Sequence, residues 1–268
     1  MDNSEYRNNG ALCYSDLSNL CVSYEYYEYQ RSEERKSSPA MNFGNMYDTF
    51  ILENDKFHEK YYLFDPEKRP EQSKGMTSTI NKTWLKTLES KYKLVDADEY
   101  EDLQLMRAKL LQNPIANSLL EPGGDVQSTL FYELFGLPFK SKTDYLNVGK
   151  HLIVDLKTTR SIARRDMERT IVNYHYNIQS LLYRWAAEKI YGMKFDFAFI
   201  FQEKEPPYEP VVVCLDADWD TYTAAQIERL TKYYLDCKNG TGCKTRYNDI
   251  LIINKPYYLN GITNIEEF

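Results

Sequence analysis

The sequence predicts an α/β fold, a sheet flanked by helices with a helical N-terminal region ahead of it. Three features point there. Apolar residues recur at helical spacing through much of residues 14–120. The pattern turns strand-like after Gly123-Gly124-Asp125, and strands then alternate with long amphipathic helices to about residue 237.

Residues 14–30 read as a helix: Ser15 or Asp16 can cap it, and Leu17, Leu20, Cys21 and Tyr24 share its apolar spacing. Charged residues 31–38 form a loop, and a short helix covers Asn45 to Glu53. The stretch 65–78, with Pro66, Pro70 and Gly75, reads as a long and mobile loop. Helices at 79–91 and 97–111 follow, the second capped by Asp96 or Asp98, with a short one after Pro114. Residues 126–135 and 138–147 read as a hairpin turning near Gly136, and 151–157 as the next strand. A long amphipathic helix runs from about Arg165 to Tyr191. Strands 194–202 and 208–215 flank the Pro206-Pro207 break, and a helix from about Asp218 to Cys237 closes the core. The expected organisation is one compact domain: a helical region 1–122, a core 123–240 and a less regular tail 241–268.

Composition sets outer limits. The hydrophobic fraction of 43% supports a sizeable core, and no run reaches the length of a membrane span. The polar start Met1-Asp2-Asn3-Ser4-Glu5 lacks a signal-peptide pattern, so a cytoplasmic protein is expected. Five cysteines without close pairing fit separate thiols better than a disulfide framework. The net charge of −7 means that any nucleic-acid contact must be a local basic groove. The 24 tyrosines, many between Tyr24 and Tyr29 and near Tyr257-Tyr258, read as packing residues taken singly.

The run His151-Leu152-Ile153-Val154-Asp155-Leu156-Lys157-Thr158-Thr159 carries the strongest chemical signal. Alternation sends Asp155 and Lys157 to one face of a buried strand and Leu156 to the other. An acid and an ammonium there are costly without compensation, which a divalent metal and a phosphate would supply. Asp144, at the end of the preceding strand, can lie beside Asp155 and make an oxygen-lined site for Mg²⁺ or Mn²⁺, with Lys157 in reach of the reacting phosphate. Taken alone, the Asp-x-Lys is equally an ordinary salt bridge. On the following helix Tyr174, Ile178, Leu181, Leu182 and Trp185 share an apolar face with Ile171, and His175, Gln179 and Tyr183 line a polar stripe beside it. Lys140 and Lys142 precede the motif, and Arg160, Arg164, Arg165 and Arg169 follow it. As a group they suit phosphate contact; singly, each arginine suits equally a solvated helix start paired with Asp166 and Glu168.

Asp144, Asp155-Leu156-Lys157 and Gln179-Ser180-Leu181-Leu182-Tyr183 together resemble the D…(D/E)xK…QxxxY pattern of the PD-(D/E)xK nuclease superfamily, in its RecB-like branch. More closely, the chain resembles RecE-type (exodeoxyribonuclease VIII) phage recombination exonucleases. Tyr174-His175-Tyr176 and the strand with Phe197, Phe199 and Phe201 fall in the expected order. Tyr14 to Leu17, Pro39 to Gly44 and Leu52 to Phe57 match more loosely, so the likeness spans roughly residues 12–240.

The resemblance implies a restriction-endonuclease-like core with a mixed sheet and a metal-dependent exonuclease acting on duplex DNA ends. Asp144, Asp155 and the Leu156 carbonyl would be metal ligands and Lys157 the catalytic lysine. Gln179 and Tyr183 would position the DNA strand or water, and His175 would join the DNA-binding set. Asp48 stands where relatives often carry a histidine ligand, and Gln127 where they often carry a glutamate, a role Glu133 could take by strand parity. A phage or prophage origin, a homo-oligomeric ring and a single-strand annealing partner are implied in the same way. An iron–sulfur cluster, held in some relatives, is disfavoured here because no Cys-x-x-Cys exists. Two alternatives stay open: a catalytically weakened DNA-binding or assembly protein of this fold, and an endonuclease of this fold.

Overall fold

The computed structural model of the chain describes residue 6 and residues 9–33 and 37–242. The helices before the sheet are α1 (Tyr14–Leu20), α2 (Tyr24–Ser32), α3 (Pro39–Leu52), α4 (Phe57–Lys60), α5 (Thr79–Lys91), α6 (Ala97–Gln112) and α7 (Pro114–Leu119). Their starts follow from local chemistry. Ser23, Ser38, Ser78, Asp96 and Asn113 each accept a hydrogen bond from a first-turn amide, with Pro39 and Pro114 in the first turn. The single helix expected over 14–30 is two, because Ser23 caps a new start after the turn at Cys21-Val22. The loop 65–78 is tied down rather than mobile. Asn81, fully buried, accepts from the Glu71 amide and donates to the carbonyls of Glu71, Lys74 and Gly75, and Arg69 bonds the carbonyls of Pro66, Gln72 and, again, Lys74. A short parallel pair, β1 (Tyr61–Leu63) with β2 (Lys93–Val95), was not expected from periodicity, since three residues carry almost none.

The central mixed sheet has the order β3-β6-β7-β8-β9, formed by β3 (Asp125–Val126), β6 (Tyr145–Asn147), β7 (Leu152–Thr159), β8 (Asp196–Glu203) and β9 (Pro210–Val213). Only β7 and β8 are parallel. The hairpin β4 (Thr129–Leu134) with β5 (Leu137–Lys142) stands apart from it, turning through Phe135 (φ 53°) and Gly136 (φ 72°). Positive φ at both central residues is the geometry of a tight hairpin turn. The strand expected at 138–147 is therefore two. It bends at Thr143-Asp144, where the Thr143 amide bonds the Ser128 carbonyl and the Gln127 amide bonds the Asp144 carbonyl.

The helix expected from Arg165 to Tyr191 is also two, α8 (Arg164–Asn173) and α9 (Tyr176–Tyr191), broken at Tyr174-His175. The last helix, α10 (Ala217–Lys238), packs on α9. One core lies between the hairpin, the Ile153 and Phe197-Phe199-Phe201 face of the sheet, and α1, α2, α9 and α10. The other lies under the Val154, Leu156 and Ile200 face, covered by α3, α4, α6 and α7. The region before residue 123 thus contributes to both faces. Cys237 is disulfide-bonded, which corrects the expectation of separate thiols. From residue 243 on, the expected tail lies outside the described residues, as do Tyr257 and Tyr258. No described helix is long and apolar enough to cross a membrane.

Gln202 locks α3 to the sheet. Its buried amide accepts from the Tyr47 hydroxyl and donates to the carbonyls of Met106 (2.7 Å) and Tyr208 (2.9 Å). Gln202→Leu leaves these groups buried and unpaired, and a loss of about 2–4 kcal/mol in urea unfolding is expected with an unchanged m-value. A change below about 0.5 kcal/mol shows that the network does not hold α3.

Candidate active site

β7 lies between β6 and β8, and Leu156 turns toward α3 and α6 while Asp155 and Lys157 turn toward α9. Asp155 is 1% exposed. Its Oδ2 accepts a hydrogen bond from Gln179 Nε2 at 2.5 Å, and its Oδ1 is ion-paired with Lys157 Nζ. Lys157 Nζ also sits 4.9 Å from the centre of the Tyr176 ring, a cation–π contact. Tyr176, Gln179 and Tyr183 recur at i, i+3 and i+7 and so share the face of α9 that meets the sheet.

Asp144 enters from the bend between β5 and β6. Its Oδ2 accepts from the Leu156 amide at 3.0 Å and its Oδ1 from Gln127 Nε2 at 3.2 Å. Gln127, with φ 54°, is thus a neighbour of Asp144, whereas Glu133 is exposed on the hairpin and does not take its place. Asp48, half-buried on α3, completes an electrostatic group. Burial, then Asp144 and Asp155, push its carboxyl well above the usual range against the pull of Lys157. Burial also pushes Asp155 up to about 7; Lys157 opposes the shift and Asp144 adds to it. For Lys157, burial alone would lower the pKa, but Asp155, Tyr176 and Asp144 carry it above its ordinary value. Burial and then Asp155 likewise hold the Tyr183 phenol protonated.

Three mutually repelling carboxyls facing one ammonium leave a formal excess of two negative charges, and hard oxygen donors suit Mg²⁺ or Mn²⁺. The donor chemistry therefore fits a divalent cation. Among the described residues, however, no three His, Cys, Asp or Glu side chains are already closed around a common point.

The remaining predicted residues scatter. Lys140 is a correction: it is 2% exposed, with its ammonium bonded to the Tyr6 carbonyl and Asn9 Oδ1 and lying 4.8 Å from the Tyr6 ring centre, so it does not offer its charge to a phosphate. Lys142 is half-buried at the end of β5. Arg160 and Arg165 are exposed, while Arg164 pairs with Glu168 at 2.9 Å and Arg169 with Asp166 at 4.0 Å, the solvated-face arrangement. His175 is half-buried at the break before α9, not on the helix with Gln179 and Tyr183. Tyr176 and Tyr14 fall within matched stretches but were not among the expected site residues. Helical spacing from Gln179 could have found Tyr176. Tyr14 is 160 residues from its partner, the Tyr174 carbonyl, and no local pattern reports that.

The family model described as PDDEXK-like domain of unknown function (DUF3799) matches residues 14–246. The chain belongs to this PDDEXK-like family. A crystal structure of a Eubacterium rectale protein, provisionally described as an exonuclease, resembles this PDDEXK-like chain with TM-score 0.65 and 18% identity, over 98% of this chain and 97% of the other. A phage-related exonuclease from Haemophilus somnus 129PT is a weaker likeness, with TM-score 0.38 and 12% identity over 87% and 96% of the two chains. No curated protein matches.

The raised Asp155 pKa of this PDDEXK-like protein has a consequence for stability. Its folded value of about 7 lies above the ordinary 3.8. Protonation of Asp155 therefore stabilises the fold fully below about pH 4, and that contribution is lost as pH rises through about 7. With chelator present, unfolding free energies of wild type minus Asp155→Asn should fall by on the order of a few kcal/mol from pH 5 to 8. Parallel pH profiles for the two proteins refute the assignment.

Proposed function

We propose that this protein is a divalent-metal-dependent deoxyribonuclease, an exonuclease that hydrolyses phosphodiester bonds at the ends of duplex DNA. The observation that carries the reading is the buried Asp155, held by Gln179 and Lys157, next to Asp144 bonded to the Leu156 amide. The likeness in fold to the Eubacterium rectale protein described as an exonuclease supports the choice of reaction.

Asp48, Asp144 and Asp155, with the Leu156 carbonyl, would hold Mg²⁺ or Mn²⁺. When bound, the ion supplies a lowered water pKa and charge compensation at the scissile phosphate. Lys157 is a cation fixed by the Tyr176 face, able to hydrogen-bond the attacking water and to stabilise negative charge developing on the phosphoryl oxygens. Gln179 keeps the Asp155 carboxyl oriented, the Leu156 amide does the same for Asp144, and Tyr183 backs Gln179 from one turn along α9. The exposed Arg160 and Arg165 offer sequence-independent phosphate contacts, which makes binding salt-sensitive. A ring-shaped homo-oligomer, an annealing partner and a phage role belong to the proposal through the sequence resemblance alone.

End-labelled linear duplex and covalently closed circles, each with Mg²⁺ or Mn²⁺, test the reading. Nucleotide release from the linear DNA is expected with circles left intact, and Asp155→Asn or Lys157→Ala should lower the rate by about 10³-fold or more. Release that survives either substitution overturns the site. Cut circles assign an endonuclease instead. DNA binding in chelator without Mn²⁺ uptake in calorimetry assigns a non-catalytic scaffold.

A further inference from the structure

An aromatic stack leads from the buried centre to solvent. Tyr176 touches Phe199 (ring centres 5.6 Å apart) and Phe201 (6.1 Å) on its inner side and holds the Lys157 ammonium. Tyr174 lies on Tyr176, with ring centres 5.6 Å apart and planes 21° from parallel, and is itself 60% exposed. Lys157, Tyr176 and Tyr174 are thus consecutive contacts, and the last has an aromatic surface open to water.

This stack exists only because the helix is broken. On a continuous α-helix, residues two apart project about 200° from each other and do not meet. Here α8 ends at Asn173 and is capped by Tyr174 (φ −96°, ψ 2°), and His175 takes a left-handed conformation (φ 56°, ψ 37°) before α9 begins. A non-glycine residue in that region is uncommon and clusters where a special geometry is needed. The break is also pinned. The Tyr14 hydroxyl, from α1, donates to the Tyr174 carbonyl, and the Tyr14 ring lies 6.5 Å from Tyr176. Neighbouring Val172 is 53% exposed, so among the described residues apolar packing leaves this stretch largely uncovered.

We propose that the open face of Tyr174 is a stacking subsite for an unpaired nucleobase of the strand being cut, held beside the Asp155–Lys157 centre by the break between α8 and α9. The subsite rests on the DNA-nuclease reading above. An open π-face, here one ring removed from a fixed cation, is the chemistry that receives single-stranded nucleic acid, and because every base has such a face, binding there is independent of sequence. A base on Tyr174 keeps the strand separated from its complement and sets the distance of its phosphate from Lys157. Tyr174 is then a positioning residue.

The test uses the full chain and linear duplexes with a frayed four-nucleotide end. One set carries 2-aminopurine at each end position in turn, read by fluorescence in chelator, where binding is followed without hydrolysis. Quenching at one position is expected with wild type and Tyr174→Phe and not with Tyr174→Ala. A second set places an abasic residue at that position and is digested with Mg²⁺. For wild type the missing base should lower kcat/KM by about tenfold, within the range that base–aromatic stacking supports. Tyr174→Ala should show the same loss on intact DNA and no further loss on abasic DNA, while Tyr174→Phe restores wild-type values. Quenching retained by Tyr174→Ala, or losses that simply multiply, overturn the subsite while leaving the nuclease reading standing. Tyr174-dependent quenching without nucleotide release leaves the subsite standing and removes the nuclease reading.

Discussion

A carboxylate buried in the middle of a sheet is tolerated only if its oxygens are partnered, because an unpaired ion there costs several kcal/mol. Asp155 imposes that demand, and much of the architecture answers it. Gln179 reaches one oxygen from α9, Lys157 reaches the other from two residues along the same strand, and Tyr176 covers the lysine. The parallel pairing of β7 with β8 places Asp155 opposite Phe199 and Lys157 opposite Phe201, so the polar pair lies against a ring-lined wall.

The regular structure yields to the site at two places. At Thr143-Asp144 the chain leaves the hairpin and joins the sheet, and the bend turns the Asp144 carboxylate onto the Leu156 amide. At Tyr174-His175 the helix is interrupted, and α9 starts with Tyr176 already over Lys157. Continuous elements in either place would be locally cheaper, since each break gives up ladder or helix hydrogen bonds. Both breaks are held by bonds from outside the broken element: the Gln127 amide, ahead of the hairpin, at the first, and the distant Tyr14 hydroxyl at the second.

The helices ahead of the sheet belong to the site as much as to the core. α3 brings Asp48 into electrostatic contact with Asp144 and Asp155, and Gln202 holds α3 in place through Tyr47. α1 supplies Tyr14. The net charge of −7 does not set the field at the candidate site, because at short range nearby groups do. Lys140 illustrates the converse: a lysine near the motif in sequence is absorbed by the Tyr6 carbonyl and Asn9.

The alternation of β7, the cap of α6, the hairpin turn at Gly136 and the spacing of Gln179 and Tyr183 were all legible in the sequence, because each depends on neighbours a few residues away. From them came the α/β class and the pairing of Asp155 with Lys157 on one face. The tertiary structure decided what local pattern does not encode. It split the strand at Asp144 and the helix at His175, buried Lys140, left Arg164 and Arg169 paired with acids, and stacked Tyr174 on Tyr176. Helical apolar spacing from Ile171 through Tyr174 to Ile178 runs across the second break, and the bond that holds that break comes from Tyr14, far along the chain. Residue type and spacing determined which groups are candidates for chemistry; long-range packing determined how they meet.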